Sequence, residues 1–153
     1  MTSRTPDGLV EAPEISLGVL MFIPYRHMEQ RILAVVIDAG HPITLAQARI
    51  FQRVDHHGSR LTSLAESAQL TKQAAGFLVD QLERGGYVER ALDPQDGRAR
   101  LIRITRRGYD VIAIATAEQA NIEAEWHRHL GARASKDLRR SLERLRQITD
   151  PFQ

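Results

Sequence analysis

Apolar residues recur at the 3.6-residue spacing of an α-helix from Leu17 to Ala39, and the pattern stops at Gly40. This spacing predicts a long first helix. Pro24 lies inside the segment and is expected to kink or split the helix, because proline lacks a backbone N–H donor and its ring crowds the preceding turn. Residues 1–13 have no apolar period and are predicted to form a flexible arm.

Two short helices are predicted next. Thr44 is expected to cap the first of them, which ends at the polar residues 55–58. Thr62 or Ser63 is expected to cap the second, and Glu66, three residues after Ser63, completes a capping-box pattern.

A third short helix follows a break at Gln69 and Leu70. Thr71 is its predicted cap, and the Gly85–Gly86 pair is its predicted end. Its apolar positions are predicted to face inward: Ala74, Ala75, Leu78, Val79 and Leu82. The remaining positions are predicted to face outward: Lys72, Gln73, Gly76 and Asp80. The pattern therefore predicts two helices joined by a tight turn.

Two strands follow, at residues 87–91 and 100–105. Residues 92–99 are predicted to form the hairpin loop between them, because they contain an Asp-Pro and an Asp-Gly pair. Thr105 is then expected to cap a long helix that is broken at Gly131.

Ser135 is expected to cap a last helix that ends before Pro151. The last two helices are too apolar to lie alone on a surface. We therefore expect them to pack with the first helix and against a second copy of the chain.

Composition limits the chemistry that the chain can perform. None of its 153 residues is cysteine, which excludes disulfides, thiolate metal sites and cysteine nucleophiles. No segment has the pattern of a membrane span or an export signal, so we expect a cytoplasmic protein with no membrane partner. Phosphate-binding loops, zinc-protease helices and nucleophile elbows are also missing from the sequence, so neither an enzyme nor a cofactor is expected.

Charge is nearly balanced overall but strongly basic in one segment. The net charge is +2, and all but two of the 21 basic residues are arginine, whose planar guanidinium suits phosphate and guanine. Between Gly97 and Gly108 the basic residues have no acidic neighbour: Arg98, Arg100, Arg103, Arg106 and Arg107. This segment predicts double-stranded DNA as a partner.

Residues 61–108, LTSLAESAQLTKQAAGFLVDQLERGGYVERALDPQDGRARLIRITRRG, resemble the multiple antibiotic resistance regulator (MarR) family. The element order and this resemblance imply a mainly α (α+β) fold, a winged helix-turn-helix with flanking dimerisation helices. The predicted parts are the flexible arm at residues 1–13, a dimerisation helix at 14–43, a DNA-binding lobe at 44–108 and C-terminal dimerisation helices at 109–150.

The resemblance also implies a function. We expect a homodimeric transcriptional regulator that binds a pseudo-palindromic operator, with one helix of each subunit in the major groove. Repression follows where the operator overlaps a promoter. A small-molecule effector that prefers a dimer with the wrong lobe spacing is expected to release the DNA.

Two groups of residues are predicted to contact DNA. Residues at the start of the third short helix stand where the helix dipole is positive and where side chains reach base edges. By resemblance, the aspartate of the hairpin orients an arginine for the minor groove. The predicted contacts are Thr71, Lys72, Gln73, Gly76, Asp96, Arg98 and Arg100.

Four positions depart from the family pattern, and one of them is Pro24 in the first helix. Gln69 stands at a turn position that is often glycine, and its entry into the left-handed region costs about 1 kcal/mol. Gly76 and Phe77 stand where many relatives carry polar or basic residues. Phe77 could contact a thymine methyl group, but inward packing is the favoured prediction.

An effector pocket is implied by the resemblance alone, for a small aromatic or phenolic ligand. The residues expected to line it are Phe22, Tyr25, Arg26, His27 and Phe51. The alternative, that most of these residues form dimer core and surface, stays open.

Two other functions are kept as alternatives. Winged helices sometimes bind proteins instead of DNA, so a protein-interaction module is one of them. A zinc-sensing regulator is the other, because His56 adjoins His57 and His127 lies close to His129. However, residues two apart on a helix point to different faces, so no metal site is predicted.

Overall fold

A computed structural model of the protein describes residues 14–151. The flexible arm expected at residues 1–13 lies outside the described residues. Along the described part, the elements are α1 (Leu17–Asp38), α2 (Leu45–Phe51), α3 (Leu61–Ser67), α4 (Lys72–Arg84), β1 (Val88–Asp93), β2 (Asp96–Ile104), α5 (Arg106–Leu130) and α6 (Ala132–Thr149). The predicted fold is confirmed: a mostly helical winged helix with a two-stranded antiparallel hairpin.

Helix α1 begins after Ser16, whose side chain accepts a hydrogen bond from the backbone N–H of Val19. The helix continues through Pro24, so the prediction that proline splits it is wrong. Pro24 removes the donor to the carbonyl of Leu20, and this part of the helix is exposed. Water can bind the freed carbonyl there, which limits the cost of the lost bond.

Helix α2 begins with the predicted Thr44 cap. Thr44 Oγ1 accepts from the Gln47 backbone N–H at 3.2 Å, and Gln47 Oε1 accepts from the Thr44 N–H at 2.9 Å. These two bonds form a capping box at this helix.

Helix α3 begins earlier than predicted, at Leu61, with Arg60 as its N-cap, so the expected Thr62 or Ser63 cap is wrong. The reason is a contact that is distant in sequence. Ser59 pairs with Ile102 of β2 through two backbone hydrogen bonds of 2.9 and 2.8 Å, which fix the chain just before the helix.

The turn between α3 and α4 contains a non-glycine residue in the left-handed region: Gln69 has φ 54°. Thr71 then caps α4 by accepting from the Ala74 N–H at 3.1 Å. Ala74 itself is exposed, so its predicted inward orientation is wrong, whereas Ala75, Val79 and others on that side are buried.

We expect Gln69→Gly to raise the free energy of unfolding. Glycine enters the left-handed region without the penalty of about 1 to 2 kcal/mol that other residues pay. The greater freedom of glycine in the unfolded chain offsets about 0.4 to 1 kcal/mol of this. Chemical denaturation should therefore show a gain of about 0.5 to 1 kcal/mol. A lower free energy of unfolding would contradict the prediction.

The hairpin of β1 and β2, called the wing below, is longer than predicted. Strand pairing continues to Leu92↔Arg100 and Asp93↔Asp96, so residues 92–99 do not form an open loop. The turn is narrow because the buried Asp93 side chain accepts a hydrogen bond from the Gln95 N–H at 2.9 Å.

Helix α5 has the predicted Thr105 cap. Thr105 Oγ1 accepts from the Gly108 N–H at 3.1 Å and donates to the Gly86 carbonyl at 2.6 Å. Helix α6 begins directly at Ala132, and Gly131, with φ 81°, ends one helix and begins the next. Ser135 therefore lies inside the first turn and donates to the Gly131 carbonyl, so its predicted role as a cap is wrong.

The core lies in the lobe that α2, α3, α4 and the wing form, and Val36 of α1 and Val111 of α5 extend it. Helix α1 packs along α5, as expected. Arg31 joins these two helices by binding Glu118 and Glu125, each at 2.6 Å. Helix α6 contributes no buried residue. Within residues 14–151, no helix combines the length and the apolar character that crossing a membrane requires.

Candidate nucleic-acid interface

The N-terminal end of α4 is free to receive an anion. Lys72 and Gln73 are exposed, and the first backbone N–H groups of a helix point outward with a partial positive charge. Thr71 Oγ1 accepts the hydrogen bond of the cap, so its own proton remains available to donate. This end of the helix can therefore bind phosphate and present side chains to base edges.

The outward face of α4 carries one large apolar side chain. Phe77 is 59% exposed, so the favoured prediction that it packs inward is wrong. Helical geometry gives the reason. Phe77 is two residues from both Ala75 and Val79, which are buried, and residues two apart point to nearly opposite sides.

Gly76 lies beside Phe77 and is half-buried. A Cβ atom at this position would meet only Leu61 Cδ2, at an ordinary contact distance of 3.6 Å. Packing therefore does not require glycine here, although glycine in a helix costs about 0.5 to 1 kcal/mol relative to alanine.

The wing and the first turn of α5 present unpaired positive charge. Arg98, Arg100 and Arg106 are exposed, and no carboxylate of the described chain lies within ion-pair distance of them. Asp96 Oδ1 accepts from the Arg98 backbone N–H at 3.1 Å. The aspartate thus fixes the backbone of Arg98 and leaves its guanidinium in solvent.

Arg103 and Arg107 differ from the other basic residues of this segment. Arg103 is half-buried and its Nε has no hydrogen-bond partner. Arg107 lies over the Tyr87 ring, 4.9 Å from its centroid, and donates to the Tyr87 hydroxyl. Arg103 is therefore partly enclosed by the lobe, whereas Arg107 remains exposed on its surface against the Tyr87 ring.

Arg60 was not predicted, yet it connects the wing to the helix-turn-helix. It donates to Asp93 Oδ2 at 2.7 Å and lies 3.9 Å from Asp96. The N–H of Gln95 and then the guanidinium of Arg60 hold the pKa of the Asp93 carboxyl below its ordinary value. The base of the wing turn is therefore fixed by a charged pair.

Arg90 makes a second connection that the sequence did not reveal. From β1 it binds Asp80 at 2.7 Å and also Glu83, both on α4. This arginine ties the wing to α4. Its single positive charge offsets one of the two negative charges of these carboxylates, which reduces their repulsion of phosphate.

A cavity of about 420 Å³ separates α1 and α5 from α2. Of the residues expected to line an effector pocket, Tyr25 and Phe51 line it. Phe22, Arg26 and His27 do not: all three are exposed, and Arg26 stacks over the Phe22 ring. The other walls are mostly apolar and come from residues that the sequence did not single out: Met28, Ile32, Leu33, Val36, Ile43, Leu45, Ala48, Val54, Ile104, Val111, Ile112 and Ala115.

A charged pair lies at the rim of this cavity. Arg49 of α2 binds both carboxylate oxygens of Glu29 of α1, at 2.7 and 2.8 Å, and Tyr25 donates to the same carboxylate. The Arg49 guanidinium lowers the pKa of Glu29 below its ordinary value. The pair thus links the first helix to the lobe beside the cavity.

No group of three potential metal ligands comes together within residues 14–151. His56 lies against Tyr109, with the rings parallel and their centroids 6.0 Å apart.

A family model described as "MarR family" matches residues 41–99. The chain is similar to the transcriptional regulator Tm0710 from Thermotoga maritima, with 28% identity, a TM-score of 0.62, and coverage of 87% of this chain and 92% of the other. E. coli MarR is similar at 20% identity with a TM-score of 0.69, covering 88% and 98%. A mutant of S. aureus MepR bound to an oligodeoxyribonucleotide is similar at 20% identity with a TM-score of 0.59, covering 88% and 99%. No curated protein matches the chain in sequence.

Proposed function

We propose that this chain is a MarR-family winged-helix transcriptional regulator and that it works as a homodimer that represses transcription from a pseudo-palindromic operator. Regulators of this family bind DNA and are not enzymes, and the same description applies here. The similar protein MepR of S. aureus is bound to an oligodeoxyribonucleotide in its structure, which supports the same partner for this chain.

The exposed positive charge of α4 and the wing is the main observation that supports the proposal. Lys72 and Gln73 stand at the free end of α4, while Arg98 and Arg100 are exposed on β2. A helix in the major groove and a hairpin on the adjacent backbone or minor groove need this combination. We assign DNA contacts to these four residues, together with Thr71, Gly76 and Asp96.

Uncovered apolar surface supports the homodimer. The first turns of α1 expose Leu20, Phe22 and Ile23, each by 45% or more. Helix α6 exposes Leu138 and Leu142 on its apolar side. A monomer rarely leaves so much contiguous apolar surface in water, and a second copy would bury these helices and place two copies of α4 on one duplex.

Release by an effector is assigned to the cavity between α1, α5 and α2. Its mostly apolar walls suit a small aromatic molecule, and the Glu29–Arg49 pair at its rim offers hydrogen bonds to a phenolic hydroxyl. A ligand that binds better to a dimer with altered lobe spacing would lower the population that fits the operator.

We test the proposal with duplexes that the protein selects from fragments of its host genome. Gel-shift affinity should fall about 10³-fold or more between about 50 and 200 mM salt, because binding releases counterions from many phosphates. Sedimentation should give a dimer, free and bound. A protein that retains no duplex at low salt would favour the alternative of a protein-interaction module.

The two lysines of the chain provide a matched pair for this test. Lys72→Ala should weaken binding about equally for all sequences and reduce the salt slope by about 1 per contact. Lys136→Ala removes the same charge from an exposed position on α6 and should leave affinity and slope unchanged. Equal effects of the two substitutions would contradict the assignment of Lys72.

A further inference from the structure

Phe77 is the large apolar side chain on the outward face of α4. It lies one helical turn after Gln73 and three residues before Asp80, so the three share one face of the helix. It is 59% exposed, and the described chain provides no hydrophobic neighbour that covers it. We infer that Phe77 determines specificity by packing on the C5-methyl group of a thymine in the operator. The inference rests on the proposed function, which brings this helix into the major groove.

The chemistry of the groove leaves one candidate partner for such a side chain. Base edges in the major groove are hydrogen-bond donors and acceptors, except for the methyl group of thymine. Phenylalanine cannot satisfy a donor or an acceptor, and burying an unpaired polar group is costly. A phenyl ring at this position therefore favours a base with a C5-methyl group, which is thymine or 5-methylcytosine, over the other bases.

The backbone next to Phe77 allows close approach. Gly76 has no side chain, and a Cβ there would meet only Leu61 at an ordinary 3.6 Å, so the protein interior does not demand glycine. Glycine is typical of places where a backbone must come close to a ligand. Gly76 places no side chain beside the ring, so this position does not block the approach of Phe77 to a base.

Charge on this face favours the same partner. Asp80 and Glu83 are the carboxylates of α4, and Arg90 of the wing binds both. Lys72 stands two turns before Asp80 and has no acidic partner among the described residues. Arg90 and Lys72 together balance the two carboxylates, so the surface around Phe77 carries no net negative charge that would repel the phosphate backbones on either side of a groove.

Replacing thymine by deoxyuridine tests the inference without altering the protein. The probe is a duplex that the wild-type protein selects from a random-sequence library, with each thymine replaced in turn. At one symmetric position, the replacement should weaken binding about fourfold when one half-site is changed and about 15-fold when both are changed. These factors correspond to the loss of one buried methyl group in each half-site. Placing 5-methylcytosine in that position should bind better than cytosine.

Two protein variants complete this test. Phe77→Ala, whose exposed position should leave thermal unfolding unchanged, is expected to bind the thymine and deoxyuridine probes equally. Gln73→Ala, on the same face, should lose affinity and keep the difference between the two probes. A variant with Phe77→Ala that retains the difference would overturn the inference.

Other outcomes separate the inference from the function on which it rests. If the selected duplex is bound and deoxyuridine leaves the affinity unchanged at every position, Phe77 does not contact a methyl group, although the protein binds DNA. Loss of the dimer in Phe77→Ala would show that a second copy covers the ring, which also overturns the inference. If no duplex is selected at all, the proposed function fails and the inference fails with it.

Discussion

Replacing Gly108 by alanine is expected to lower the free energy of unfolding by about 3 kcal/mol. A Cβ atom here would lie 2.3 Å from the Tyr87 carbonyl oxygen and 2.7 Å from Ile104 Cγ2. The carbonyl accepts a hydrogen bond from the Thr105 N–H, so it cannot move without opening the junction between the wing and α5. Chemical denaturation at one fixed protein concentration measures the loss.

The control for this substitution is Gly97→Ala in the wing. A Cβ atom there meets nothing within 4 Å, so the same chemical change should alter the free energy of unfolding by less than about 0.5 kcal/mol. If Gly108→Ala were no more harmful than Gly97→Ala, the close approach of α5 to Tyr87, the residue before β1, would be wrong.

Arg98→Ala is expected to weaken operator binding about 100-fold at low salt, since each dimer loses two contacts worth roughly 1 to 3 kcal/mol apiece. The slope of log affinity against log salt should also decrease, by about 2. The guanidinium is exposed and unpaired within the described chain, so the dimer and its melting temperature should not change. Gel shifts over a salt series and thermal unfolding check the two parts.

Arg133→Ala is the matched control, because it removes an equally exposed arginine from the first turn of α6. It should bind the operator like the wild-type protein. Wild-type affinity in the Arg98 variant would refute the assignment of the wing to the DNA surface. A reduced melting temperature would instead assign Arg98 a structural role.

The sequence predicted the elements whose ends are determined by nearby residues. Thr44, Thr71 and Thr105 are caps in the structure as predicted, because each forms its bond with an amide three residues later. The predicted Ser63 cap failed because pairing between Ser59 and Ile102 decides where that helix begins. Such a contact joins residues far apart in sequence and leaves no local pattern.

The same distinction applies to the candidate site. Exposure of Lys72, Gln73 and Arg98 followed from helical spacing and local charge, and the structure agrees. The ion pairs of Arg60 and Arg90 could not be predicted, since each depends on the hairpin folding back onto the helices. A sequence shows that such an arginine exists, but it does not show which carboxylate it will meet.

The position of α2 has a consequence for the proposed release of DNA by an effector. This helix has only seven residues and is linked to a neighbouring helix on each side. Arg49 attaches one side of it to Glu29 of α1, while Gln47 donates to Gln81 of α4 at 3.0 Å on the other. Under the proposed function, we therefore expect a molecule that enters between α1 and α2 to displace α2 and, through the Gln47–Gln81 bond, to change the orientation of α4 without any change in the fold of α4.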